Sequence, residues 1–266
     1  MKIAFIGGGN MGEAILSAVL DRGLGTPQDI SVSDVSDVRR QHLKQKYGVT
    51  VTGDNLEAAI KGDIVLMAIK PQSLDEVLPG LSGQLSPAQL VLSIIAGKRI
   101  ETLRQGLRHN TVVRAMPNTP AQIGQGISVW TATAEVTEQQ KARAGSILGV
   151  MGKEIYVTDE EYIDMATAVS GSGPAYFFLF VEALVAGSVS IGVPHDMAQQ
   201  LVLQTFLGSG HFLEKSGKEP VELRRMVTSP GGTTAAALKV LEQGKFTEMV
   251  QQAIAVAYQR AKELGG

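Results

Sequence analysis

Short apolar runs closed by Gly, Asp, Pro or Ser alternate with stretches of helical apolar spacing through the first half of the chain. Lys2–Ile6, Ile30–Asp34, Asp63–Ala68, Gln89–Ser93, Thr111–Ala115, Gly126–Thr131 and Lys153–Val157 read as strands. Asp63–Ala68 and Gln89–Ser93 are apolar at successive positions, as in strands covered on both faces. Between the strands, Met11–Asp21, Val38–Tyr47 and Thr137–Val150 carry apolar residues at helical spacing; Gly23 and Gly48 stop the first two. This repeating strand–helix order predicts a mostly parallel sheet with right-handed crossovers.

After about Thr158 the strand signals stop. Glu160–Val169, Ser172–Ile191, Pro194–Lys215, Pro220–Val227, Gly232–Gln243 and Phe246–Leu264 read as helices separated by Gly or Pro. The expected fold is therefore α/β: a Rossmann-type, mostly parallel sheet domain over residues 1–158, followed by an all-α domain over 159–266. Tyr176–Val193 is almost continuously apolar and close to the length of a membrane span. Glu182, Gly187, Ser188 and Ser190 interrupt it, and its flanks lack an interfacial aromatic and basic pattern. A helix apolar on most faces belongs in a core or a subunit interface, so self-association is expected and a membrane partner is not.

Composition narrows the chemistry. A net charge of −2 without a Lys/Arg run argues against nucleic acid as a partner. The absence of cysteine removes disulfides, Cys-zinc sites and thiol catalysis, and no metal site is expected. Met1–Ile6 runs at once into glycines with no signal-peptide pattern, so a cytoplasmic location is expected.

The first strand leads into Gly7-x-Gly9-x-x-Gly12 and then a helix. In that context the motif is a dinucleotide fingerprint: Gly7 permits the tight turn, Gly9 the approach of a pyrophosphate, and Gly12 close strand–helix packing. Asp34, at the end of the second strand, stands where an acidic residue binds the adenosine ribose. Ser33, Ser36, Arg39 and Arg40 surround it and suit a 2′-phosphate, so NADH and NADPH both stay open as the cofactor. Ala68-Ile69-Lys70-Pro71 and Ile95-Ala96-Gly97 end later strands, at the edge where ligands bind in open α/β sheets.

Near the C-terminus, Thr228-Ser229-Pro230-Gly231-Gly232-Thr233-Thr234 runs straight into a helical pattern. Such a turn offers free backbone N–H groups, hydroxyls and the positive end of a helix dipole to a carboxylate, or is simply a capped helix start. Ser170-Gly171-Ser172-Gly173-Pro174 is a second turn of this kind, with Ser172 the expected N-cap of the long apolar helix. Met116-Pro117-Asn118-Thr119-Pro120 is a rigid loop at a strand end. The four histidines, His42, His109, His195 and His211, lie away from all the Gly-rich turns. A ketone needs a proton donor during hydride transfer, whereas a protonated imine does not, and the residue set leans toward the imine.

These motifs together make the chain similar to pyrroline-5-carboxylate reductases over essentially its whole length. The resemblance rests on Phe5–Met11, Ala68–Pro71, Met116–Pro120, Ser170–Tyr176 and Ser229–Thr234, the last followed by Leu238–Glu242. It implies NAD(P)H-dependent reduction of 1-pyrroline-5-carboxylate to proline, the last step of proline biosynthesis. It places Ile6, Gly7, Gly9, Asn10, Met11, Gly12, Ser33, Asp34, Asn55, Ala68, Lys70, Pro71, Ala96 and Gly97 at the cofactor. It places Ser229, Gly231, Gly232, Thr233 and Thr234 at the substrate carboxylate, with Thr234 the catalytic candidate nearest the ring nitrogen. It also implies a helical domain that binds substrate and dimerises, with helical elements of the active site that can come from a partner chain. The acidic Asp34 departs from an NADPH preference. Hydroxyacid dehydrogenases share the plan but carry Lys in G-x-G-x-x-x-K; here Phe177 stands at that position. The remaining alternatives are reduction of another cyclic imine and a dinucleotide-binding sensor without turnover.

Overall fold

A computed structural model describes residues 1–265. The first half of the chain alternates β1 (Ile3–Ile6), α1 (Asn10–Asp21), β2 (Ile30–Ser33), α2 (Asp37–Tyr47), β3 (Thr50–Thr52) and α3 (Asn55–Ala59). It continues through β4 (Ile64–Met67), α4 (Leu74–Leu81), β5 (Leu90–Ser93), α5 (Ile100–Leu107) and β6 (Val112–Met116). Then follow β7 (Gly126–Ala132), α6 (Glu138–Gly149) and β8 (Gly152–Tyr156). The rest is helical: α7 (Glu161–Ala166), α8 (Gly173–Ser190), α9 (His195–Ser216), α10 (Pro220–Met226), α11 (Thr233–Gln243) and α12 (Phe246–Gly265).

The sheet order is β3-β2-β1-β4-β5-β6-β7-β8, parallel except where β7 runs against β6. Each central strand is buried on both faces, and alternate residues feed two separate cores. Ile3, Phe5, Ile64 and Leu66 join Ile15, Val19 and Leu43 on one face. Ile6, Val65 and Met67 join Leu74, Leu78, Leu103 and Leu107 on the other. That period-two division is why the strands read as continuous apolar runs. β3 escapes such a reading because it is a three-residue edge strand, Thr-Val-Thr, with no buried position.

By internal packing the chain forms two compact units, one of Met1–Ser172 with the chain from Ala257 onward, the other of Gly173–Val256. The 158/159 division expected from sequence marks where strands end; the packing division falls later because α7 is held on the sheet unit. The anchor is Arg114 of β6, only 1% exposed, whose guanidinium donates to Glu160 at 2.8 Å and to Asp164 at 2.7 Å. Glu160 also accepts the amide of Ile100 at 2.8 Å, which ties the start of α5 to the same cluster. Buried charge clusters of this kind fix geometry more than they add stability. In the other unit, α8 pairs with α9, where Phe177 lies against Phe206 with ring centroids 5.7 Å apart.

Candidate active site

β1 lies between β2 and β4, so the crevice beyond Ile6 is the switch point of the sheet. The chain leaves β1 through Gly7 at φ +99°, where a Cβ would stand 2.7 Å from the carbonyl oxygen of Ala68. A Cβ on Gly12, in the first turn of α1, would stand 2.5 Å from the carbonyl oxygen of Gly7. The helix starts this close to the strand only because both positions lack side chains. Gly9 is different: a Cβ there would meet nothing within 4 Å, so its outer side is open to a ligand. It caps α1 in extended conformation with no side-chain hydrogen bond. The N–H groups that follow, from Asn10 and Met11, have no intrahelical acceptor, and the residues here fit a dinucleotide pyrophosphate.

Backbone hydrogen bonds bring the sequence-predicted residues of three strand ends together. Gly7 N donates to Ser33 O at 2.9 Å, and Ala68 N to Ile6 O at 2.8 Å. Ser33 Oγ donates to Asn55 Oδ1 at 2.7 Å. Asp34 accepts the Gly8 amide on Oδ2 and the Ser36 amide on Oδ1, each at 2.9 Å. A carboxylate oxygen has two lone pairs, so each retains one for a ribose hydroxyl. Lys70 is exposed, just before the tight turn at Pro71–Ser73. Gly97, at φ +72°, turns its Cα toward Leu264 of α12, where a Cβ would come within 2.7 Å; it offers a ligand backbone only.

A cluster that sequence reasoning missed stands behind the glycine loop. Glu13, in the first turn of α1, accepts on Oε1 from Lys46 at 2.9 Å, Tyr47 at 2.8 Å and His42 at 3.1 Å. Its Oε2 is held by Arg39, whose Nε donates to the carbonyl of Gly8. Burial raises the Glu13 carboxyl, but hydrogen bonds from Lys46, His42, Tyr47 and Arg39 more than reverse this, taking it from 4.5 to about 2. Arg39, His42 and Lys46 share one face of α2 at helical spacing, which is the only sequence signal of the cluster.

The Ser170–Pro174 segment corrects an expectation. It is no turn opening a helix: Thr167–Gly171 form a π-helical turn, and Ser172 has helical φ/ψ of −85° and −23°. Ser172 caps nothing; its hydroxyl donates back to Thr167 O at 3.0 Å, as Ser170 does to Ala166 O at 2.9 Å. Serine hydroxyls that bond backward along the chain let the helix widen instead of starting anew. Gly171 lets this turn approach the last residue of β6, just before the loop that follows it, since a Cβ would meet Met116 Cε at 2.7 Å. In that loop Asn118 Oδ1 accepts the Ile127 amide at 2.9 Å.

In the helical unit, Gly232 N donates to Ser229 O at 3.0 Å across a turn with Gly231 at φ +71°. Gly232 caps α11 in extended conformation without a side-chain bond. The hydroxyls of Thr233 and Thr234 have no protein partner among the described residues, and the first N–H groups of α11 lack intrahelical acceptors. Ser229, Gly231, Gly232, Thr233 and Thr234 thus form one donor-rich corner suited to a carboxylate.

Comparison with known proteins agrees with both halves. Residues 160–264 match the family model for pyrroline-5-carboxylate reductase dimerisation, and residues 2–97 match one described as NADP oxidoreductase, coenzyme F420-dependent. The pyrroline-5-carboxylate reductase of a Synechocystis species is 40% identical, covering 100% of this chain and 98% of its own. That of Pseudomonas aeruginosa is also 40% identical, covering 99% of this chain and 96% of its own. The chain belongs to the pyrroline-5-carboxylate reductase family. A crystal structure of the Plasmodium falciparum pyrroline carboxylate reductase with NADP bound superposes with a TM-score of 0.90. It is 31% identical and covers 100% of this chain and 98% of its own. Family membership makes the chain a homo-oligomeric oxidoreductase of a small molecule.

Proposed function

We propose that this chain reduces 1-pyrroline-5-carboxylate to proline with NAD(P)H. The observation that carries the reading is the presence, in one chain, of a loop only glycine can form at the sheet switch point and of the unpartnered hydroxyl and N–H corner at α11. When bound, NAD(P)H supplies the hydride that reduces the imine carbon. Ile6, Gly7, Gly9, Asn10, Met11 and Gly12 hold its pyrophosphate side, and Ser33, Asp34 and Asn55 the adenosine ribose. Ala68, Lys70, Pro71, Ala96 and Gly97 form the walls at the later strand ends.

The corner at Ser229, Gly231, Gly232, Thr233 and Thr234 binds the substrate carboxylate, and Thr234 offers its hydroxyl to the ring nitrogen. An imine protonated before reaction already carries the charge that hydride transfer neutralises, so the chain supplies orientation and an anion clamp. Two histidines are otherwise engaged, His42 at Glu13 and His109 donating to Gln89 O at 2.8 Å, which fits a reaction needing no histidine acid. A hydroxyacid reaction lacks its lysine, since α8 has none and presents an exposed Phe177 instead.

The helices of residues 161–190 are long and apolar enough to cross a membrane by length and composition. On our reading a second copy covers that surface: Phe177, Phe178, Leu179 and Phe180 are all exposed in the single chain. The unit of assembly is a dimer, and the enzyme is cytoplasmic with neither nucleic acid nor membrane as partner. NADPH and NADH oxidation by purified protein with 1-pyrroline-5-carboxylate, and a simple 2-keto acid as control, tests the activity. Turnover on the imine alone is expected. Turnover on the keto acid alone sinks the reading, and cofactor binding without turnover on either favours a sensor.

A further inference from the structure

A dinucleotide lies across the switch point with one half on each side of it. β1 has β2 on one side and β4, then β5, on the other. With Ser33 and Asp34 at the adenosine, the nicotinamide half falls toward β4 and β5, and the loop of residues 94–99 after β5 is its wall. Ile95 is buried, and Lys98 N turns back to Ile95 O at 3.5 Å, so Ala96 and Gly97 stand at the crest of a tight turn.

That turn is backed by the last turn of α12. Gly97 has φ +72°, and a Cβ there would lie 2.7 Å from Leu264 Cβ and 3.2 Å from Leu264 O. Gly265 is its counterpart: a Cβ on it would lie 3.3 Å from both Gly97 O and Arg99 Nε. Each element thus carries a glycine where the other comes closest. Both are also held on α7 and its N-cap residue, Glu160. Glu160 accepts the Ile100 amide at 2.8 Å, and Arg99 Nη2 lies 3.6 Å from the buried Asp164. Glu161 accepts from Tyr258 and lies 3.7 Å from Lys262 Nζ. Tyr258, Ala261, Lys262 and Gly265 recur at helical spacing, so one face of α12 makes the attachment, with Ala261 and Gly265 buried in it. A reacting ring needs placement finer than about 1 Å, so a shift of this loop is felt at the nicotinamide end and not at the adenosine end. We infer that Leu264 and Gly265 are positioning residues for the nicotinamide wall, acting through Gly97, an inference that rests on the NAD(P)H reading above.

Fluorescence titration of the full-length protein with NADPH and NADH tests it, set beside calorimetric titration with 5′-AMP and adenosine 2′,5′-bisphosphate, which fill only the adenosine end. Leu264→Gly removes the Cβ that faces Gly97. It should weaken whichever reduced dinucleotide binds by about tenfold and shift the adenosine ligands less than about twofold. A chain shortened after Glu263 should behave the same way. Gly97→Ala should cost more in the wild type than when added to Leu264→Gly, because the new methyl then has room. Unchanged affinity for NADPH and NADH in Leu264→Gly overturns the inference. Equal weakening of all the ligands also overturns it, since the turn is then a general support of the fold, and so do additive losses in the double variant. If the shortened chain fails to fold, the point substitutions still decide. A wild type that binds none of the four ligands overturns the NAD(P)H reading itself.

Discussion

Two helix starts in this chain offer backbone N–H groups to an anion, and they are supported in opposite ways. The loop before α1 is clamped by its own unit: side chains at Gly7 or Gly12 would collide with the backbone of Ala68 or Gly7. The turn before α11 has no such enclosure. A Cβ on Gly231 would meet nothing within 4 Å, and α11 has no buried residue. The first site is pre-organised by a core; the second holds its shape through local backbone conformation on an exposed surface. Glycine therefore means different things in the two motifs: space against strand and loop backbone, with a positive φ at Gly7, in one; a positive φ at Gly231 and room only for the turn's own Ser229 at Gly232 in the other.

The sharpest way to break this comparison is Gly12→Val. Overpacking against the Gly7 carbonyl should cost about 1–3 kcal/mol and weaken NAD(P)H binding by up to about a hundredfold. A thermal melt and a cofactor fluorescence titration read both; unchanged binding would mean the loop adjusts freely. Thr234→Ala comes next, with KM for the imino acid raised about tenfold and cofactor affinity unchanged. Steady-state kinetics that leave KM untouched would remove Thr234 from the site.

Gly231→Ala should lower stability by about 1–2 kcal/mol through left-handed strain alone, since no neighbour obstructs the methyl. Denaturant melts showing no loss would mean the turn relaxes. The smallest effect concerns acid. Glu13 has a folded pKa of about 2 against an ordinary 4.5, so its contribution is present above about 4.5 and lost as pH falls toward about 2. With solvent screening this is on the order of 1 kcal/mol. The stability gap between wild type and Glu13→Gln should therefore narrow over that window in melts at stepped pH. A gap that stays constant from pH 5 to 2 would show that the carboxylate's charge is not what Glu13 contributes.

Much of the plan was legible in the chain. Short continuous apolar runs and longer stretches at helical spacing predicted the strand–helix order and the switch to helices, because the local pattern reports which faces of an element are buried. The two glycine motifs were legible too, since each needs a particular residue at a fixed offset. Tertiary structure alone decided the rest. The edge strand β3 is defined by pairing with β2 rather than by its own composition. The widened turn at Thr167–Gly171 replaced an expected N-cap because the hydroxyls bond backward and Met116 packs against Gly171. Glu13 meets Arg39, His42, Lys46 and Tyr47 from 26 to 34 residues away, which depends on how two helices are set against each other. Local sequence encodes burial along a single element; the meeting of charges on different elements is fixed only when the sheet sets their spacing.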